Sequence, residues 1–244
     1  MKVDLIHYTG KGTRDEQWYA ARLLAFTKGT RLNMTPAGLD KFMDMPLLEL
    51  QKELAYMSST IASSWEFVDV VFAISDVSRA CAQQITRSRQ ASYAMQSQRV
   101  TNMSEVTCHI PDTVPKECQL YYKMTLSASL INYQKLVKGG CSLEDARGVL
   151  PMNVHCNLIA KYNLRAWVDL VRARDSMRVQ GEYHDVIMRM KKEVIRTWPW
   201  VQTFIEPKQA KAIALIEQVA SAMPVGEMRT NLAKSADLLK KETA

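Results

Sequence analysis

The strongest indication of the fold comes from residues 65–87, WEFVDVVFAISDVSRACAQQITR. The part from Trp65 to Ile74 is rich in β-branched and aromatic side chains, which predicts a buried strand. The part from Val77 to Ile85 predicts a helix, which delivers Gln84 and Arg87 to one neighbourhood. A strand that leads directly into a helix therefore stands at the centre of the expected fold.

The flanking sequence predicts further strands and helices. A strand is expected at residues 2–8, and residues 154–162 fit either a short strand or an extended connection. Helices are expected around residues 18–26, 46–57, 115–138 and 180–198, and two more, broken at Pro224, after residue 208. Ser142 and Asp145 resemble a capping box, and Asn163 is expected to cap a helix that carries Arg165, Asp169 and Arg174.

A second informative segment, residues 84–99, reads QITRSRQASYAMQSQR and collects three arginines with few bulky apolar side chains. It is too polar for a core and too patterned for a linker. Because the planar guanidinium of arginine suits bidentate contacts with phosphate, Arg87, Arg89 and Arg99 predict an anion site. The alternative is a basic, solvated surface loop, since most isolated arginine clusters are only that.

The spacing of this segment resembles the signature of the flavin-dependent thymidylate synthases, R-H-R-x-x-S-x-(N/S)-(E/Q)-x-S-x-R. Three other blocks resemble the same family in the same order. The matching residues are Glu66, Phe72, Ala73, Ile74, Val77, Ser78, Arg79, Ala80 and Gln84 upstream; Arg87, Arg89, Ser92, Ser97 and Arg99 in the signature; and Arg147, Leu150, Pro151, Asn153, Asn163, Arg165, Arg174, Gln180 and Glu182 downstream. Four ordered blocks are far more specific than one.

The resemblance implies an α+β fold with an antiparallel or mixed sheet, long flanking helices and a homotetramer whose active sites are shared between subunits. It implies one-carbon transfer from methylenetetrahydrofolate to C5 of a deoxypyrimidine monophosphate, with dUMP to dTMP first, FAD as cofactor and NADPH as reductant. The matched part implies a domain at residues 1–206 with a C-terminal helical extension at residues 207–244.

The resemblance also implies roles for individual residues. Arg174 is expected to face the pyrimidine ring and, with Ser97, to take part in catalysis. Substrate-binding residues are expected to be Gln84, Arg87, Ser97, Arg99, Arg147 and Arg174. Cofactor-binding residues are expected to be Ser63, Glu66, Arg87, Ser88, Arg89, Asn163, Arg165 and Asp169. The sequence does not separate dUMP from dCMP as the substrate.

The sequence departs from the family pattern mainly where the family surrounds its flavin. Ile61 and Phe67 replace two histidines, Ser88 replaces the histidine of R-H-R, and Ala94 and Met95 occupy the polar slots. Methyl formation consumes two electrons, whereas a hydroxymethyl group needs only water on the same methylene. Weakened flavin binding therefore favours an alternative, C5 hydroxymethylation of dUMP or dCMP. A further alternative is a nucleotide-binding subunit that has lost catalysis.

Composition limits the remaining function classes. The net charge of +7 suits nucleotides, nucleic acid or an acidic surface, but the arginines gather in the motif blocks, so nucleic acid is not expected as a partner. The five cysteines form no CxxC pair and predict reduced thiols, and the four histidines lack metal-ligand spacing, so no metal site is expected. Without a signal segment or an apolar run of bilayer length, the expected location is cytoplasmic, away from membranes.

Overall fold

A computed structural model of the chain describes residues 1–28, 35–60, 62–174, 181–206, 208–224 and 226–242. The strands are β1 (Lys2–Tyr8), β2 (Asp69–Ser78), β3 (Ala91–Met95) and β4 (His155–Asn163). They form one sheet in the order β1-β2-β4-β3, and every neighbouring pair is antiparallel. The α+β expectation is confirmed, and within the described residues the sheet is antiparallel and not mixed.

Eleven α-helices surround this sheet in the described part of the chain. They are α1 (Glu16–Thr27), α2 (Pro36–Met43), α3 (Leu47–Met57), α4 (Arg79–Ile85), α5 (Lys116–Lys138), α6 (Leu143–Ala146), α7 (Leu164–Arg174), α8 (Glu182–Thr197), α9 (Gln202–Ile205), α10 (Lys208–Ala222) and α11 (Glu227–Glu242). None of the helices in those segments has both the length and the apolar character needed to cross a bilayer.

The core lies on one face of the sheet because side chains alternate along the two central strands. In β2 the buried residues include Val70, Phe72 and Ile74, and in β4 every second residue from Cys156 to Tyr162 is buried. Helices α1, α3, α7 and α8 cover this face and contribute to a single large apolar cluster. A smaller cluster of Met103, Tyr133, Ala146 and Val154 anchors α5 and α6 beside it.

Local signals fixed several helix ends as expected. The Ser142 Oγ accepts from the Asp145 N–H at 3.1 Å, and the Asn163 Oδ1 accepts from the Ala166 N–H at 2.8 Å. The long helix ends at Lys138 before the two glycines, and residues 154–162 prove to be a strand. The two helices around Pro224 are also confirmed.

One expectation for the central segments was wrong, and the surface-loop alternative holds only in part. The predicted strand from Trp65 to Ile74 begins only at Asp69, because residues Ala62–Phe67 form a 3-10 helix. Trp65 is buried there, edge-on against Phe204 with ring centroids 4.9 Å apart, so tertiary packing overrides its β-propensity. The arginine-rich segment is not simply a loop, since Ala91–Met95 forms the edge strand β3 against β4.

Candidate active site

A pocket of about 410 Å³ opens between the segment before β3 and helix α7. We call it the arginine pocket. Its lining residues are Arg87, Ser88, Arg89, Gln90, Tyr162, Ala166, Asp169, Leu170, Ala173 and Arg174. Five of the residues expected from sequence therefore meet in one cavity: Arg87, Ser88, Arg89, Asp169 and Arg174.

The local fold explains why these residues meet. Helix α4 ends in a turn in which the Arg87 N–H donates to the Gln84 carbonyl at 3.3 Å, and the chain then enters β3 opposite Tyr162. Strand β4 runs directly into α7, whose residues Ala166, Asp169, Leu170, Ala173 and Arg174 recur at spacings of three and four and so share one helix face. This face forms the wall opposite Arg87.

Three tyrosines contact residues of the pocket, and one of them, Tyr162, lines it. The Tyr93 hydroxyl donates to the Ser88 carbonyl at 3.0 Å and lies 3.2 Å from the Tyr162 hydroxyl. Burial raises the pKa of Tyr93, of Tyr162 and of Tyr183 above the ordinary tyrosine value, so all three remain protonated at neutral pH. Arg174 lines the pocket, and its guanidinium lies over the Tyr183 ring, 5.5 Å from the ring centroid.

A second pocket of about 440 Å³ adjoins the first and shares Arg89 and Gln90 with it. Its other lining residues are Glu66, Asp69, Ala91, Ser92, Lys161 and Asn163. Arg165 reaches the rim through an ion pair with Glu66 at 2.8 Å. Ser63 is exposed on the same 3-10 helix as Glu66 but does not line either pocket.

Three further expected residues, Ser97, Arg99 and Arg147, gather at the other end of β3. The Arg99 Nε lies 2.8 Å from Glu144 Oε1, and its Nη2 lies 3.1 Å from Oε2. Arg147 lies against the same glutamate, with its Nη2 3.7 Å from Oε1 and its Nε donating to the backbone carbonyl at 3.1 Å. Ser97 accepts from the Arg99 N–H at 3.3 Å. We call Ser97, Arg99, Glu144 and Arg147 the Arg99 cluster.

Within one chain, the expected substrate residues are therefore divided between two places. The arginine pocket precedes β3 and the Arg99 cluster follows it, and the Cα atoms of Ala91 and Met95 alone span about 13 Å of extended strand. Neither pocket contains Ser97, Arg99 or Arg147. Gln84 is exposed near the end of α4 and lines neither pocket.

Comparison with known proteins identifies the family. The model for the thymidylate synthase complementing protein matches residues 4–200. The chain belongs to this family. It is 30% identical over 202 residues to a flavin-dependent thymidylate synthase of Thermococcus onnurineus, covering 80% of this chain and 79% of that protein. A flavin-dependent thymidylate synthase of Thermococcus kodakarensis is 31% identical over 202 residues, with the same shares covered, and one of Pyrococcus abyssi is 32% identical over 137 residues, or 54% of this chain and 56% of that protein.

Some matched residues of this family member support the fold around the pocket. The Glu182 carboxylate accepts from the Ser78 N–H at 2.7 Å and from the Ser78 hydroxyl at 2.5 Å, which joins the start of α8 to the start of α4. Arg172, which is not one of the matched residues, donates to the carbonyls of Phe204 and Ile205, at 2.5 and 3.2 Å. Gln180 and Ile61 lie outside the described residues.

Sequence reasoning missed the tyrosines and Glu144 in this family member. Tyr162 carried a usable signal, since it directly precedes the Asn163 cap and therefore the helix of Asp169 and Arg174. Glu144 carried none, because its contact with Arg99 joins segments 45 residues apart in sequence. Tyr183 lies close to Arg174 in sequence, but their spacing does not show that the guanidinium lies over the ring.

Proposed function

We propose that this chain transfers a one-carbon unit from methylenetetrahydrofolate to C5 of dUMP, forming dTMP with FAD and a nicotinamide reductant such as NADPH. The observation that carries the proposal is the convergence of Arg87, Ser88, Arg89, Asp169 and Arg174 in the arginine pocket. The relatives named flavin-dependent thymidylate synthases support the same reaction.

Arg174 is the residue best suited to activate the pyrimidine. When C5 acts as a nucleophile, negative charge develops on the ring edge, and a cation already in position stabilises that charge without reorganisation. The buried Tyr183 ring beneath Arg174 limits where its guanidinium can lie. In the Arg99 cluster, Arg99, Arg147 and Ser97 offer the fork and hydroxyl that suit a nucleotide phosphate.

The two adjoining pockets fit an elongated cofactor such as FAD. Together they run from Glu66 and Asn163, past the shared Arg89, to Asp169, so cationic and hydrogen-bonding side chains line their length. FAD, when bound, supplies the electrons that reduce the transferred methylene to a methyl group. Arg87, Arg89 and Arg165 are proposed to hold its charged or ring atoms, with Ser63, Glu66, Ser88, Asn163 and Asp169 as polar neighbours.

We also propose that the active site is completed between subunits of a homotetramer. The arginine pocket of one chain would face the Arg99 cluster of another. The two groups of substrate residues, which lie apart within a single chain, would then meet in one site. Helix α5 supports self-association because Leu120, Met124 and Ile131 lie on one of its faces and are exposed. Residues 1–206 would form the synthase domain and residues 207–244 an extension outside it.

The phosphate assignment is tested by Arg99→Ala, with Arg14→Ala as a control at an exposed arginine. Loss of the charge-assisted contacts of Arg99 should weaken dUMP binding by about 1.5 to 3 kcal/mol, whereas the control should bind like the wild type. Isothermal titration calorimetry measures both. If Arg99→Ala binds dUMP as tightly as the wild type does, and also binds dCMP as tightly as the wild type does, the assignment is wrong.

Hydroxymethylation of dUMP or dCMP is the second candidate, and Ser88 is the observation that favours it. This serine lines the arginine pocket at the histidine slot of the family signature, so the departure lies within the site itself. Water would then add to the transferred methylene, and no net reduction would be needed.

Product mass distinguishes the two reactions. Each nucleotide is incubated with methylenetetrahydrofolate, with and without FAD and NADPH. Thymidylate synthesis should yield dTMP only when the reductant is present. Hydroxymethylation should proceed without NADPH, and its product should be heavier than the corresponding methylated nucleotide by one oxygen atom. Strictly NADPH-dependent dTMP would eliminate the second candidate, and no product under any condition would favour the non-catalytic subunit.

The protein should bind FAD weakly, and a substitution at Ser88 should raise the affinity. We expect Ser88→His to raise FAD affinity about 3- to 10-fold, because an imidazole adds a donor within the pocket where the present hydroxyl is short. Flavin fluorescence during titration measures the affinity, with Ser235→His on α11 as the control. Met95 is left unchanged, since it packs against the apolar core. Wild-type protein that stays strongly yellow after extensive dialysis would contradict this prediction.

A further inference from the structure

The carboxylate of Glu144 occupies the edge of Arg99 that a phosphate would use. Both of its oxygens contact Arg99, Oε1 at 2.8 Å from Nε and Oε2 at 3.1 Å from Nη2. Such side-on, bidentate pairing is the geometry in which a guanidinium binds either a carboxylate or a phosphate. The Nη2 of Arg147 lies 3.7 Å from the same Oε1. Glu144 and a phosphate therefore cannot both occupy this edge of Arg99.

The carboxylate is free to leave without disturbing the helix that carries it. The side chains of Arg99, Glu144 and Arg147 are 61%, 49% and 36% exposed, and exposed ion pairs contribute little to stability. The backbone of α6 is held independently, by the Ser142 cap and by the buried Ala146. Arg147 also binds the Glu144 carbonyl, a contact that does not involve the carboxylate. Arg147 thus keeps its anchoring when the Glu144 side chain swings away, and the guanidinium of Arg99 becomes available to another anion.

We propose that Glu144 is an internal competitor of the nucleotide phosphate. It pairs with Arg99 and Arg147 when no phosphate is bound and is displaced when the phosphate binds, which weakens binding and speeds release. The inference rests on the proposed function, because it takes the Arg99 cluster as the phosphate site. It assigns a role to a residue outside the matched motif positions.

The test measures binding of dUMP and of inorganic phosphate to Glu144→Gln and Glu144→Ala. Removing the competing charge should tighten binding of both anions about 3- to 10-fold at low ionic strength, since the pair to be broken is an exposed one. The gain should shrink near about 1 M salt, where the Debye length falls to about 3 Å. Glu105→Gln makes the same charge change at another exposed position and should bind like the wild type.

Weaker or unchanged binding in the Glu144 variants would overturn the inference, because the glutamate would then only hold the arginines in place. A gain that is equal at low and high salt would also overturn it, since competition between charges must be screened. Arg99→Ala distinguishes a failure of the proposed phosphate site from a failure of the role proposed for Glu144. If that variant binds dUMP like the wild type, the proposed phosphate site itself fails. If it binds weakly while Glu144→Gln shows no gain, only the role of Glu144 fails.

Discussion

Two variants, Arg174→Ala and Arg99→Ala, are each expected to form little thymidylate at dUMP concentrations that saturate only the wild type, and to restore thymidylate formation when their chains are combined in one oligomer. Arg174 lines the arginine pocket and Arg99 belongs to the cluster beyond the other end of β3. If a site joins the pocket of one chain to the cluster of another, random mixing should complete about one quarter of the sites. Co-expression with two affinity tags, followed by an activity assay of the doubly tagged oligomer, measures this fraction.

The matched control combines Arg99→Ala with Arg147→Ala. Both residues contact Glu144 in the same cluster, so every site in that mixture lacks one of them and no activity should return. Equal outcomes for the two mixtures would argue against a site shared in this way. Light scattering that returns a stable, active species near 27.7 kDa would refute the oligomeric proposal directly.

Tyr162→Ala is expected to destabilise the fold by about 3 to 5 kcal/mol, the range for removing a large buried side chain. Tyr162 is almost fully buried and packs edge-on against both Phe72 and Tyr93, with centroids 6.4 and 5.9 Å away. Tyr162→Phe keeps this packing and loses only the hydroxyl contact with Tyr93, so it should cost about 1 kcal/mol. Urea unfolding measures both, and similar losses in the two variants would show that packing is not the main contribution.

The same tyrosines predict a loss of stability in alkali. Burial raises the pKa of Tyr162 and of Tyr93 in the folded state above the unfolded value of about 10. The folded state therefore binds more protons above that pH, and the free energy of unfolding should fall as pH rises from about 10 towards the folded pKa. Tyr162→Phe should make this fall shallower. An identical pH dependence in the variant would contradict the assignment to Tyr162.

Fold and family followed from patterns that are local in sequence. Local residue patterns predicted the strand β1 and the long helix α5, and short-range hydrogen-bonding residues such as Ser142 and Asn163 marked helix starts. These signals work because a cap or a periodic face acts within a few residues of itself. The four ordered motif blocks then identified the family, which the match over residues 4–200 confirms.

Other features of the structure depended on contacts between different elements of the fold. Trp65 had strand propensity, yet its burial against Phe204 formed a 3-10 helix, and β3 appeared in a polar segment because β4 offered it an edge. Arg174 and Tyr183 are close in sequence, but the placement of the guanidinium over the ring depends on how α8 packs beside α7.

By itself, the sequence determined most of the elements and the family, and it predicted which arginines bind anions, because these depend on residue type and short spacing. Only the tertiary structure decided how those arginines are grouped. It gathered Arg87, Arg89 and Arg174 around one pocket and paired Arg99 with Glu144 beyond the other end of β3. That division arises because β3 is an extended strand fixed by its pairing with β4, and an extended strand holds the residues at its two ends apart.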